Sequence, residues 1–414
     1  MSAGRVRLLD PSERFFAVAG AYIGYSVVVR GELDVVALSG AFAALRRRYP
    51  VLAAALAVDE DGFAIVERSG ALPGVLVSVG ELDTPVPDIC ADQERVLSGL
   101  QVIRDGDRAA VTLFTHHSVA DGYHSLTLLA ELWSMYTDMV AGQPVDDTVH
   151  GYPQSLEQVL ADRGIVKEGN DTPAAAPPWG GTDRPRQREG HREFHVAATR
   201  CRLSPETTRG LLDFARRNET TLNGLISALV LRVEAEFAGV RPQRIDYSYP
   251  VNLRTRISPP VANTAATDPL GFARYIPTGD LDDTAAVARD ITGNLRKDLD
   301  TKAVHQAGLK FYDNMTSRID EFLRMPEAER PLGVISTNWG VLPELRAPER
   351  LEFEDFRTLM FEAAVDPEAK FGPPATYILS TFQNRLALEL RAARVPEENH
   401  KRMAALELAL LELL

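Results

Sequence analysis

The stretch Thr115-His116-His117-Ser118-Val119-Ala120-Asp121-Gly122 decides how this chain is read. Just before it, Ala109-Ala110-Val111-Thr112-Leu113-Phe114 is apolar and rich in β-formers, which predicts a buried strand. Just after it, Leu126, Leu129, Trp133, Tyr136 and Val140 recur at helical spacing, which predicts an amphipathic helix. A strand-to-helix corner therefore carries His116, His117, Asp121 and Gly122. Such corners put side chains at the rim of a sheet, where chemistry is commonly done.

Four readings of the corner compete. The histidines could be ordinary core or surface residues, since short motifs match by accident. They could bind a metal with Asp121, but neighbours on a strand face opposite ways, which sets the two rings apart. One of them could serve a nucleophilic serine or cysteine, but no Gly-x-Ser-x-Gly elbow occurs in the chain. The fourth reading is a lone histidine that acts as general base on a substrate's own hydroxyl or amine.

Working outward, the chain of 414 residues is long enough for two domains. With 45% apolar and 25% charged residues it has the composition of a soluble globular protein. A formal net charge of −13 argues against a nucleic-acid binder. Cys90 and Cys201 form neither a disulfide framework nor a metal-ligand spacing, which fits a reducing compartment. No hydrophobic signal core opens the chain, and the uncharged run Phe15 to Val29 is too short to span a membrane. It is expected to be a pair of sheet strands, and the protein to be cytoplasmic.

His116-His117-Ser118-Val119-Ala120-Asp121-Gly122 resembles the His-His-x-x-x-Asp-Gly signature of the condensation-domain and chloramphenicol-acetyltransferase-like acyltransferases. Within that superfamily the chain is most similar to the actinobacterial polyketide-associated acyltransferases. The resemblance extends from about Leu8 to about Arg394. Asp34 is a good N-cap for a first helix with the stripe Val35, Leu38, Phe42, Leu45 and Tyr49, ending at Pro50. Its Arg46-Arg47-Arg48 reads as an exposed helix face. The family's first helix usually ends Arg-His-Pro-x-Leu, and Tyr49 replaces that histidine. Pro250-Val251-Asn252-Leu253-Arg254 is similar to the family's Pro-Val-Asp/Asn-x-Arg segment, and Asn338-Trp339-Gly340 to its Ser-Asn-x-Gly stretch.

Other elements follow from local pattern. Strands are expected at Tyr22 to Val29, Phe63 to Glu67, Val75 to Val79, Leu100 to Ile103 and Arg244 to Val251. Arg104-Asp105-Gly106-Asp107 is a hairpin turn that delivers the chain to His116. A composition rich in Pro, Gly and Arg from Val166 to Arg192 marks a linker. The second half is expected to hold strands at His195 to Leu203, Leu332 to Thr337, Leu359 to Val365, Ala375 to Ser380 and Leu386 to Arg391. Its helices are expected behind Ser204, from Thr220 or Thr221, at Thr284 to Leu299, at His305 to Leu323 and from Pro396. The organisation expected is a first lobe over 1–165, a linker over 166–194 and a second lobe over 195–414. The resemblance implies an α/β fold of two chloramphenicol-acetyltransferase-like sandwich lobes in a V, with the active-site tunnel between them. It also implies that a segment of the second lobe crosses to the first lobe's sheet.

The chemistry narrows from there. A lone base supplies only about 10²–10⁴-fold, so an activated carbonyl such as a thioester is the fitting electrophile. No phosphate-cradling glycine loop and no metal site are visible in the sequence, so the acyl group would arrive already activated. The donor expected is acyl-coenzyme A or a phosphopantetheine-linked acyl group on a carrier protein, with no bound cofactor and no covalent acyl-enzyme. The backbone N–H of Gly122 is a candidate oxyanion donor, and Ser336, Thr337 and Asn338 are candidates for the oxyanion or substrate. The family's base is the second histidine, which here is His117, with His116 structural. The family's aspartate points to an arginine, which here makes Asp121 and Arg254 a structural pair. The resemblance thus implies a monomeric O-acyltransferase acting on a polyketide-type alcohol. An amine acceptor, or an idle module that docks carrier proteins, remains the alternative.

Overall fold

The computed structural model describes residues 4–68, 70–83, 92–169, 198–311, 324–326, 329–361, 375–391 and 396–414. Most of the expected linker, Cys90, and the later part of the helix expected at His305 to Leu323 lie outside them; residues 303–311 are helical.

In chain order the first half comprises β1 (Arg5–Leu8), α1 (Pro11–Ala19), β2 (Tyr22–Gly31), α2 (Val35–Arg48), β3 (Ala55–Asp59), β4 (Gly62–Val66) and β5 (Val75–Val79). It continues with β6 (Ser98–Asp105), β7 (Arg108–His116), α3 (Gly122–Val140) and α4 (Leu156–Ala161). The second half holds β8 (Thr199–Arg202), α5 (Pro205–Arg217), α6 (Leu222–Ala238), β9 (Ile245–Asn252), β10 (Leu270–Tyr275) and α7 (Thr284–Asp300). After these come β11 (Leu332–Val341), β12 (Leu351–Phe361), β13 (Ala375–Phe382), β14 (Arg385–Arg391) and a last helix, Pro396–Leu411. No helix among the described residues is long and apolar enough to cross a membrane.

Two larger sheets carry the architecture. One has the order β12-β2-β7-β6-β5 and the other β10-β9-β11-β13-β14-β8, with a small sheet β1-β4-β3 beside the first. The strand β12 comes from the second half of the chain yet pairs antiparallel with β2 along its length, from Leu351 against Gly31 to Phe361 against Tyr22. The strand expected at Leu359 to Val365 therefore begins earlier, at Leu351. Its first half alternates charged and apolar residues, Glu352, Glu354 and Asp355 among them, so it lacks a continuous apolar run.

Several local expectations hold. Gly106 (φ 62°) turns the β6–β7 hairpin, where Asp105 faces Arg108. Asp34 caps α2 by accepting from the N–H groups of Val36 and Ala37. Two expectations fail. The run from Phe15 is no strand pair: Asp10, Pro11 and Glu13 start a helix and Gly20 (φ 59°) stops it. Those end signals outweigh the apolar run between them. Arg46 is no exposed cation either: its guanidinium lies 4.0 Å over the Phe42 ring and donates to the carbonyls of Pro73 and Ser98. Burial without a carboxylate lowers its pKa to about 10.

The two halves meet at a charge pair. Arg254, at the end of β9, reaches the N-terminus of α3 and grips Asp121 with both terminal nitrogens, at 2.6 and 3.0 Å. Arg254 is 0% exposed and Asp121 1%. Asp121 also accepts from the His124 N–H, capping α3, and its own N–H donates to the Thr267 carbonyl. The same guanidinium also donates to the carbonyls of Asn263 and Ala266. The segment carrying those carbonyls also bridges Gln154 through Ala266.

Removing either partner strands a buried charge, and the loss is then dominated by desolvation. Asp121→Ala and Arg254→Ala are each expected to destabilise the protein by about 3–5 kcal/mol in denaturant titrations. The double variant should cost less than the sum. Single losses below about 1 kcal/mol, the range of surface pairs, would contradict this.

Candidate active site

The chain leaves β7 at His116 and re-enters regular structure at Gly122, and the intervening turn divides the two histidines. His116 is 0% exposed. Its Nδ1 accepts from the Ser118 N–H at 3.2 Å, and its Nε2 sits 2.9 Å from Gln93 Oε1. Both nitrogens are thus satisfied by one tautomer, with Nε2–H donating to the amide oxygen. The Tyr22 ring meets it edge-on at 4.7 Å. These bonds tie His116 to the turn and to Gln93.

The His117 ring faces the other way. It lies flat on Phe16 of α1, with ring centroids 3.8 Å apart and planes 3° apart. Its Nδ1 is buried and has no hydrogen-bond partner among the described residues, which leaves Nε2 as the nitrogen on the cavity side. Burial holds the imidazole below its ordinary 6.5, opposed by the nearby Asp121 charge. Asp121 makes no hydrogen bond to it, because both carboxylate oxygens serve Arg254.

His117 opens into a cavity of about 450 Å³ walled by both halves of the chain. Phe16, Ile23, Tyr25, Gly122 and Tyr123 come from the first half, and Thr221, Asn223, Tyr249, Phe272 and Leu295 are among those from the second. Across from the histidine, β11 contributes Thr337, Asn338 and Trp339. Asn338 is held by Asn223, to which its amide donates at 3.0 Å, while its oxygen accepts from the Gly340 N–H at 2.7 Å. Tyr123 donates to the Asn338 carbonyl at 3.4 Å, a second link between the halves. Ser336 is a correction. Alternation along β11 turns its hydroxyl into the core, where it bonds Tyr247, which in turn bonds Ser227 at 2.6 Å. It does not line the cavity, whereas Thr337 does.

Gly122 has a second reason to be glycine besides opening α3. A Cβ built there would come within 2.8 Å of the Trp339 indole nitrogen. The two halves therefore approach each other through this one missing side chain. Among the described residues, no serine or cysteine lines the cavity. Cys201 is buried elsewhere, and burial pushes its thiol up to about 12, so it is not a nucleophile at neutral pH.

The sequence reading missed Phe16, Gln93, Tyr249 and the seat of Trp339 on Gly122. Only Phe16 had a usable signal, in the helix-start residues Asp10-Pro11-Ser12-Glu13 that place it one turn into α1.

The chain is similar to known proteins along nearly its whole length. Residues 192–391 match the family described as phthiocerol/phthiodiolone dimycocerosyl transferase C-terminus. A phthiocerol/phthiodiolone dimycocerosyl transferase of Mycobacterium ulcerans (strain Agy99) is 33% identical over 395 residues, covering 94% of this chain and 92% of that one. Its namesake in Mycobacterium tuberculosis (strain ATCC 25618 / H37Rv) is 34% identical, covering 85% of each. The structure of polyketide synthase associated protein 5 from Mycobacterium tuberculosis aligns with a TM-score of 0.78 at 30% identity, covering 99% of this chain and 98% of that one. The first condensation domain of the calcium-dependent antibiotic synthetase shares the fold, with a TM-score of 0.61 at 16% identity over 100% of this chain and 97% of that one. On identity sustained along nearly the whole of both chains, this protein belongs to the polyketide-associated acyltransferase family that includes the phthiocerol/phthiodiolone dimycocerosyl transferases, and it is an acyltransferase.

Proposed function

We propose that the protein transfers an acyl group from a thioester, carried by coenzyme A or by a carrier protein's phosphopantetheine, to a hydroxyl of a polyketide-derived lipid or antibiotic, with His117 as general base. One observation carries this reading: a single imidazole, stacked on Phe16 and free of any carboxylate partner, opens into a cavity shared by both halves. Its Nδ1 is buried away from the cavity, so Nε2 is the nitrogen that meets substrate, and the reaction uses the tautomer with the proton on Nδ1 and the Nε2 lone pair free. Nε2 takes the alcohol proton as the oxygen attacks the thioester carbonyl. The tetrahedral intermediate collapses with cleavage of the C–S bond, and the imidazolium returns the proton to the leaving thiolate. Gly122, at the N-terminus of α3, and Thr337 both line the cavity, and their backbone N–H and hydroxyl are the donors assigned to the oxyanion. Absence of a lining serine or cysteine among the described residues favours direct transfer over a covalent acyl-enzyme.

The test is release of free thiol from acyl thioesters in the presence of a panel of alcohols and amines. Release that depends on alcohol is expected; release that depends only on amine would overturn the proposed acceptor class. His117→Ala should keep the fold, by circular dichroism and melting, and lose transfer. Mass spectrometry of wild-type enzyme with donor alone should find no acyl adduct. A folded, fully active His117→Ala protein would contradict the mechanism.

Acid dependence follows from burial. Because burial penalises the imidazolium, the folded pKa of His117 lies below 6.5, and the base is competent wherever the ring is neutral. Activity is therefore present above that folded value and lost as pH falls through it. A pH profile of kcat/KM should be flat through neutrality with its acid midpoint below 6.5. A midpoint above that value would point to a different base.

Gly122→Ala should lower kcat/KM by at least about tenfold, because the indole of Trp339 must move and carry its wall of the cavity with it. Gly122→Ala combined with Trp339→Phe should recover part of the loss. Steady-state kinetics on the two variants decide this, and an unimpaired single variant would show that the close approach is not needed.

A further inference from the structure

Among the described residues that line the cavity with His117, the hydroxyl of Tyr249 has no use in the mechanism and no hydrogen-bond partner. Tyr249, on β9, lines the cavity and is 4% exposed, and its hydroxyl makes no hydrogen bond to any described residue. The contrast with its neighbour on the same strand face is sharp. Tyr247 points to the same side and is fully bonded, to Ser227 at 2.6 Å and to Ser336. Phe272, Ile291 and Leu295 line the same cavity, the last two from α7. The Thr292 hydroxyl lines the same cavity but donates to the Ala288 carbonyl at 2.8 Å and is not a hydrogen-bond partner of the phenol. A phenol fits such a place badly unless something fills its hydrogen-bonding capacity, because an unmet buried donor carries the whole of its desolvation cost. Phenylalanine would fill the same space without that cost.

We propose that Tyr249 is a specificity-determining residue, whose hydroxyl donates a hydrogen bond to an oxygen atom on the otherwise apolar chain of the substrate. The inference rests on the acyl-transfer reading above, and it names the class of chain: one bearing a hydroxyl, ether or keto oxygen rather than plain hydrocarbon. Burial raises the pKa of the phenol well above its ordinary value, so it stays a donor throughout the working range. A chain with oxygen at that depth satisfies the phenol; a hydrocarbon of equal length displaces water from it and offers nothing in return. The oxygen could sit on the acyl donor or on the acceptor alcohol, and both bring the same chemistry to the same wall.

The experiment compares wild type with Tyr249→Phe in two arms. One arm holds the acceptor constant and pairs oxygenated with plain acyl-coenzyme A donors of matched length. The other holds the donor constant and pairs oxygenated with plain long-chain alcohols. Each substrate is also titrated alone by calorimetry, where no transfer can occur, so that binding preference is read independently of turnover. In at least one arm the wild type should favour the oxygenated chain by about ten- to a hundredfold, and Tyr249→Phe should abolish the preference. The arm in which this occurs tells which substrate carries the oxygen. The variant should melt no lower than wild type, since it deletes an unmet hydroxyl. Equal preference in wild type and variant, in both arms and in binding, overturns the proposal. Loss of transfer with every pair, while calorimetry still shows a preference that depends on Tyr249, would instead overturn the proposed reaction and leave the subsite standing.

Discussion

The buried pair of Asp121 and Arg254 is the constraint on which the rest of the site depends. It joins the first turn of α3 to the end of β9, elements from opposite halves of the chain, at 2.6 and 3.0 Å with neither side chain in contact with solvent. A bidentate pair has one geometry, so it fixes the spacing and the angle between the two sheets at the level of the His117 corner. It also occupies the carboxylate that would otherwise be nearest to His117. The histidine is thereby left without the acidic partner that a hydrolase triad would give it.

Around that pair the structure repeats one theme, which is that each half completes the other. β12 leaves the second half to become the edge strand of the first sheet. Trp339, from β11, packs among core residues of the first half and against Tyr25 at 5.2 Å, in the space that Gly122 leaves empty. In the opposite direction, Leu156, Val159 and Leu160 of α4 bury in the core of the six-stranded sheet. With so many links, free hinging of the halves would break buried contacts, so the cavity walls are set when the chain folds. That suits a reaction in which one fixed base must meet two substrates in a narrow range of geometry.

The strand-to-helix corner that carries His116 and His117 was legible in the sequence because its information is local. A β-branched run, two histidines and a helical stripe occupy one short segment, and strand parity alone separates the two rings. Arg254 was legible only through the family resemblance, since nothing within one strand end says what lies across an interface. Helix α1 was misread although Asp10, Pro11, Glu13 and Gly20 marked both ends, because the apolar run from Phe15 was given more weight than its caps. That error concealed Phe16, the platform for His117. Ser336 and Thr337 show the other limit. They are adjacent hydroxyls on one strand, and only the pairing register of β11 decides which faces the cavity. Tyr249 belongs to the same class: its significance lies in what does not reach its hydroxyl, and no sequence states that.

The central claim is that His117 waits as a neutral imidazole with its proton on Nδ1 and the lone pair of Nε2 toward the cavity. Long-range proton–nitrogen NMR on protein labelled in its histidines, with the His117 signals assigned by their loss in His117→Ala, reads tautomer and charge directly. The account predicts the neutral Nδ1–H form near neutral pH, before any substrate is added. Finding the Nε2–H tautomer, or an imidazolium, as the resting state would contradict it.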